Sequence, residues 1–211
     1  MRVLVFGTSI TQGFWDTDGG WVARLRKYYD SQQVKDFSKD FPTIFNLGVS
    51  ADETADILKR FETETQARAR EEMAIVFDMG LNDSAIAFGK ERCSPDQYKK
   101  QVDQLITKAK KYTTKIMFVG LTPCNQKLTD PVPKHWHENL SYTRERISMF
   151  EKVLQEACAK HQLPHVALLE TLQAKVDSGE NLLADGLHPN NEGHELIYQL
   201  VRPRLEELLN T

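Results

Sequence analysis

The feature that most constrains this chain is an alternation along its length. Brief, apolar, β-rich runs at residues 3–6, 43–47, 73–79, 115–120 and 165–168 are separated by longer segments of helical period. Runs this short and this uniformly apolar suit strands buried on both faces. Trp21, Val22, Leu25 and Tyr28 form one helical stripe, and Tyr98, Val102, Leu105, Ala109 and Tyr112 a second, which opens on Ser94-Pro95, a cap with proline in the first turn. Ile147, Phe150, Leu154 and Ala157 form a third. The last passes through Leu196, Leu200, Val201, Leu205 and Leu208, in a helix that Pro203 should kink or end in its first part. Strand and helix in strict turn predict an α/β fold, a parallel sheet with helices on both faces.

Nothing in the composition opposes this. At 211 residues with 40% hydrophobic content, the chain is long enough to bury a core without disulfides or metals. No repeat or linker interrupts it, which predicts a single domain over residues 1–211. Lys+Arg 27 against Asp+Glu 30 leaves a net charge of −3 with no long run of either sign, which argues against a nucleic-acid or anionic-membrane partner. Glu71-Glu72 and Glu206-Glu207 read as solvated surface. No apolar run approaches the roughly 18 residues of a membrane span. Cys93, Cys124 and Cys158 are odd in number, widely spaced and without a CxxC, as in the reduced thiols of a cytoplasmic protein. Only Val3 to Phe6 precede the polar Gly7-Thr8-Ser9, so no signal peptide is expected.

Loop lengths point to where function lies. The segments after strands are long, at residues 7–19, 80–94 and 121–139, whereas most returns from helix to strand are short, 31–42 being the exception. In open α/β sheets ligands bind beyond the carboxyl ends of the strands, where the strand order reverses. With the common order 2-1-3-4-5, the loops beginning at Gly7 and Gly80 face each other there.

Four segments of these loops carry candidate chemistry. Ser9 follows the first strand, and a serine hydroxyl becomes a nucleophile only with an adjacent base and donors for the oxyanion; a helix-capping serine is the plainer alternative. His188, in Asp185-Gly186-Leu187-His188-Pro189-Asn190, has the proton affinity of a neutral-pH base, and Asp185 is spaced to hold its ring. The same segment also reads as a turn before a helix capped by Asn190 or Asn191. Asn82, in Gly80-Leu81-Asn82-Asp83, offers uncharged amide hydrogens. Gly48, in Asn46-Leu47-Gly48-Val49-Ser50, permits close approach of a backbone N–H. Taken alone, each of the last two is an ordinary turn.

Taken together, and in this order, the four segments resemble the blocks of the SGNH/GDSL hydrolase family, from about residue 5 to residue 190. The resemblance implies a three-layer α/β/α sandwich on a five-stranded parallel sheet, no cofactor, and cleavage of small esters through an acyl-enzyme. It makes Ser9 the nucleophile, His188 the base and Asp185 its orienting carboxylate. Ser9 N–H, Gly48 N–H and the Asn82 amide would line the oxyanion hole. Two positions depart from the family pattern. Thr8 stands where an aspartate usually precedes the nucleophile, and Ala51 where the second block often has glycine. Thioester cleavage or acyl transfer by the same triad, and a flavodoxin-like binding module without chemistry, are the competing functions. Trp15, Phe88 and Trp136 lie in three crest loops and are candidate walls of a substrate pocket. His135 and His137, with Glu138, lack a third metal ligand at ordinary spacing, and Cys124 reads as a spectator thiol.

Overall fold

A computed structural model describes residues 1–70 and 72–210; the Glu71 half of the expected solvated pair lies outside these. The main sheet comprises β1 (Arg2–Gly7), β2 (Thr43–Gly48), β3 (Met73–Asp78), β6 (Ile116–Val119) and β8 (His165–Val166), all parallel, in the order β2-β1-β3-β6-β8. Counted over this sheet alone, the order is the expected 2-1-3-4-5. Two short strands of the crest, β4 (Ile86–Ala87) and β5 (Lys90–Glu91), precede β6 in the chain, and β7 (Leu140–Ser141) precedes β8. The central strands are apolar on both faces because both are covered: Val3 to Phe6 and every residue of β3 are buried. The edge strand β2 is covered only in part, with Ile44 and Leu47 buried and Thr43 and Asn46 exposed.

Two rows of helices cover the sheet. In one, α2 (Gly20–Lys35) packs on α8 (Asn191–Leu209); in the other, α4 (Pro95–Ala109) lies between α3 (Thr54–Gln66) and α6 (Arg144–His161). Ser94 caps α4 by accepting from Gln97 N–H at 3.2 Å, with Pro95 in the first turn, as the sequence predicts. Asn190 caps α8, accepting from Gly193 N–H at 3.0 Å. Of the two outcomes expected at Pro203, an end is not seen: the helix continues to Leu209. A proline inside a helix costs about 3 kcal/mol, and the buried Ile197, Val201, Leu205 and Leu208 on the inner face offset it at roughly 1.5–3 kcal/mol each.

The crest is more ordered than a set of plain loops. Strands β4, β5 and β7 form a small antiparallel sheet in the order β5-β4-β7, and one-turn helices α1 (Ser9–Gln12) and α5 (Gln126–Thr129) interrupt the first and third loops. A further helix, α7 (Leu169–Asp177), follows β8. Two-residue strands carry too few positions for alternation to register. The small sheet joins the 80–94 and 121–139 loops, and Phe88 N–H donates to Asn139 O across them at 2.7 Å.

Register places the functional segments side by side. Gly7, at the end of β1, is level with Gly48 of β2 and with Asp78 of β3. Three loops therefore leave the sheet from one line, at the point where the connections run to opposite sides of β1.

Candidate active site

Ser9 is the first residue of α1, a single turn set directly on the end of β1. Gly7 makes that approach possible, since a Cβ there would lie 1.8 Å from Thr11 Oγ1 and 2.5 Å from Asp78 O. Thr11 donates to Asp78 Oδ2 at 2.7 Å, and the Trp21 indole donates to the same oxygen at 3.3 Å. Burial pushes the Asp78 carboxyl up to about 6 against these donors. The carboxylate anchoring this turn thus comes from β3 through Thr11; Thr8 N–H itself donates to Thr11 Oγ1 at 3.3 Å.

Ser9 Oγ lies 3.0 Å from His188 Nε2, and His188 Nδ1 lies 2.7 Å from Asp185 Oδ2. The Asp185-Gly186 turn is short enough that Asp185 Oδ1 also accepts the backbone N–H groups of Leu187 and His188, at 2.9 and 2.8 Å. Burial raises the Asp185 carboxyl, but the His188 hydrogen bond and charge with these two N–H donors outweigh it and hold the group below the usual carboxylate range. An ionised Asp185 accepting from Nδ1–H leaves Nε2 as the acceptor facing the Ser9 hydroxyl.

Asn82 is buried, its side chain held at both ends. Its Nδ2 donates to Asp52 O at 2.9 Å and its Oδ1 accepts from the Tyr142 hydroxyl at 2.9 Å. Among the described residues its second amide hydrogen meets no acceptor, and it remains for a ligand. Neighbouring Asp83 is also buried, its carboxyl pushed up to about 6 by burial, and it accepts the N–H and hydroxyl of Thr54 at the start of α3.

Gly48 requires a correction. Its N–H donates to Asn46 Oδ1 at 2.9 Å, so the second-block donor expected for the oxyanion is engaged inside its own loop. Glycine is needed there for space: a Cβ would lie 2.5 Å from Gln12 N and 2.8 Å from Thr8 O, backbone atoms of the nucleophile turn. Further along the loop, Ala51 adopts φ 67°, the left-handed region that glycine favours. Among the described residues, Ala51 N–H meets no acceptor, and it lies next to the Asp52 carbonyl that Asn82 holds. The departure from glycine at 51 was visible in the sequence; its backbone conformation was not.

The expected pocket aromatics separate. Trp15 and Trp136 stand beside His188, with ring centroids 6.3 and 6.2 Å from the imidazole, and Phe14 completes a collar at 5.8 Å. Phe88 is not in it: 63% exposed, it packs against His137 at 5.9 Å. Sequence reasoning missed Phe14, Tyr142 and His194. His194 is fully buried under the collar, where its Nδ1 accepts from Trp21 N–H at 3.3 Å and its Nε2 donates to Phe14 O at 3.0 Å. Burial lowers its proton affinity, consistent with a neutral structural ring. His135 and His137 are exposed, and among the described residues no three His, Cys, Asp or Glu side chains are grouped to hold a metal. Cys124 is buried, and burial pushes its thiol up, away from the thiolate a nucleophile needs.

Comparison with known proteins fits this geometry. Residues 5–196 match the GDSL-like lipase/acylhydrolase family. The fold is similar to that of a lipase/acylhydrolase from Enterococcus faecalis, with TM-score 0.77 and 22% identity over 98% of this chain and 95% of that one. It is similar to TesA, with TM-score 0.72 and 22% identity over 99% of each chain. It also resembles Axe2, an acetylxylan esterase from Geobacillus stearothermophilus, with TM-score 0.72 and 17% identity over 97% of this chain and 93% of that one. No curated protein sequence matches the chain. Among the described residues no helix is long and apolar enough to cross a membrane.

Proposed function

The chain belongs to the GDSL-like lipase/acylhydrolase family and is an ester-cleaving serine hydrolase; from that premise we propose that Ser9 is its nucleophile, His188 its general base and Asp185 the carboxylate that orients the base. The observation that carries the assignment is the unbroken chain of contacts from Ser9 Oγ through His188 to Asp185, at 3.0 and 2.7 Å.

In this reading Ser9 Oγ attacks the ester carbonyl carbon as its proton passes to His188 Nε2. Asp185 stabilises the imidazolium by accepting from Nδ1–H and stays ionised. His188 then gives the proton to the departing alcohol, leaving an acyl group on Ser9. Water attacks the acyl carbon with the same base, the carboxylic acid departs and Ser9 regains its proton. The oxyanion is received by Ser9 N–H, which has no intrahelical acceptor at the start of α1, and by the free amide hydrogen of Asn82. Ala51 N–H takes the place expected of Gly48 N–H. The collar of Phe14, Trp15 and Trp136 shields one side of the imidazole from water, which strengthens these interactions.

The substrate is a small carboxylic ester and not a nucleic acid, in keeping with the balanced surface charge. The reading includes one catalytic unit over residues 1–211 and a cytoplasmic setting, which the free, buried Cys93, Cys124 and Cys158 support.

Treatment with a fluorophosphonate tests the assignment. Labelling should be stoichiometric, located at Ser9, and lost together with ester cleavage in a folded Ser9→Ala variant. Undiminished turnover in that variant would overturn it.

A further inference from the structure

The Asp185 carboxylate has more donors than a triad needs. Oδ1 accepts two backbone N–H groups, whereas Oδ2 accepts both the His188 ring at 2.7 Å and the indole Nε1–H of Trp15, also at 2.7 Å. Two side chains thus converge on one oxygen, and one of them lies outside the serine–histidine–aspartate chain.

Trp15 is held in an unusual way. Its φ is 65° and its side chain is 58% exposed. A bulky residue in the left-handed region costs energy and persists only where its surroundings over-determine it. Here both flanks are fixed. Phe14 O accepts from the buried His194, and the Asp16 carboxylate takes the N–H groups of Asp18 and Gly20 with a two-pronged bond from Arg24 at 3.0 Å. Thr17 exchanges two hydrogen bonds with Asn191 at the start of α8. Such anchoring would be wasted on an exposed ring with no task.

We propose that Trp15 is a positioning residue for the catalytic apparatus: its indole N–H fixes the Asp185 carboxylate in the orientation that receives His188, while its ring edge, perpendicular to the imidazole at 6.3 Å, limits the tilt of that base. The proposal rests on the triad reading above. A charge-assisted bond to an ionised carboxylate is among the stronger hydrogen bonds, and the indole covers an oxygen that water would otherwise reach. The two backbone donors on Oδ1 remain in any Trp15 variant, so Asp185 is loosened but not released. The effect should fall on kcat, since the group acts through Asp185 and not on bound ester.

The test compares Trp15→Phe, which removes the N–H and keeps a ring, with replacement of Trp15 by 3-benzothienylalanine, which puts sulfur in place of the N–H at nearly constant shape. With p-nitrophenyl acetate, both should lower kcat about 5–20-fold, only part of the worth of one hydrogen bond to a charged group because Asp185 keeps its backbone donors, with KM within about twofold. The low-field proton resonance of the His188–Asp185 hydrogen bond should shift or broaden in both. Wild-type kcat with an unmoved resonance in the benzothienyl protein would overturn the proposal. So would a rise in KM alone, which would make Trp15 a substrate wall. Fluorophosphonate labelling of the unsubstituted protein separates the two levels. If Ser9 labels while the variants behave as wild type, only the role of Trp15 falls; if Ser9 does not label, the triad reading itself fails.

Discussion

The Tyr142 hydroxyl donates to Asn82 Oδ1 at 2.9 Å, and this bond sets which end of the Asn82 amide is available to a ligand. The other end meets Asp52 O at 2.9 Å. A carbonyl only accepts, so the amide NH2 must lie on the Asp52 side, and Tyr142 must be the donor. The second N–H of that group is then left free with its direction fixed. Tyr142 is buried, and burial pushes its phenol up to about 12, so it remains a donor throughout the working pH range.

Replacing Asn82 by Ala should lower kcat by about 10²–10³, or roughly 2.7–4 kcal/mol, with little change in KM, because the amide acts on charge that develops only in the transition state. Steady-state kinetics and the thermal midpoint check this together. An early-melting variant with unchanged kcat would make Asn82 a tie for the Asp52 loop.

Tyr142→Phe should produce a smaller loss of the same kind. Releasing Oδ1 lets the amide rotate, and kcat should drop about 5–10-fold, equivalent to a hydrogen bond of about 1–1.5 kcal/mol. The double variant with Asn82→Ala should be no slower than Asn82→Ala alone, since Tyr142 acts through Asn82. Full additivity in that cycle would show that the two side chains act separately.

Gly48→Ala tests the steric role of the second block. A Cβ 2.5 Å from Gln12 N and 2.8 Å from Thr8 O meets backbone, which cannot rotate away. Either the end of β2 or the turn carrying Ser9 must move. Denaturant melts should show a loss of about 1–3 kcal/mol, and fluorophosphonate labelling of Ser9 should slow at least about tenfold. Labelling at the wild-type rate would show that this contact does not control the nucleophile.

Asp78 predicts a pH dependence with a definite sign. Its folded value, pushed up by burial to about 6, lies above the ordinary 3.8, so the folded chain holds more protons than the unfolded chain between about pH 4 and 6. Its contribution to stability is therefore largest in acid and declines as pH rises through that window. His194, lowered by burial, contributes in the opposite direction nearby, so the difference between proteins is the useful quantity. Relative to wild type, Asp78→Asn should gain stability from pH 4 to pH 7, by about 3 kcal/mol at most. A difference that stays flat in denaturant melts across that range would show that Asp78 ionises as freely as an exposed aspartate.

How much of this was legible beforehand depended on the range of the interaction. The buried strands, the Ser94-Pro95 helix start and the cap of α8 depend on neighbours in sequence, and local pattern located them, the cap to within one residue. Pro203 does not end α8 because its local cost is outweighed by Val201, Leu205 and Leu208 packing on distant elements. The crest sheet escaped because pairing Ile86 with Ser141 joins two-residue strands far apart in the chain.

The order of residue types determined the class of fold and the set of groups from which a site could be built: Ser9, Asn82, Asp185 and His188 on loops leaving the same edge of a parallel sheet. Burial periodicity and turn chemistry act over a few residues, so a linear chain displays them. Tertiary structure alone decided which hydrogen on which atom is free. Trp15 reaches Asp185 across 170 positions, and Tyr142 turns Asn82 from 60 positions away. Hydrogen bonds are directional and act within about 3 Å, and contacts of that range between distant segments exist only once the sheet has brought its loops together.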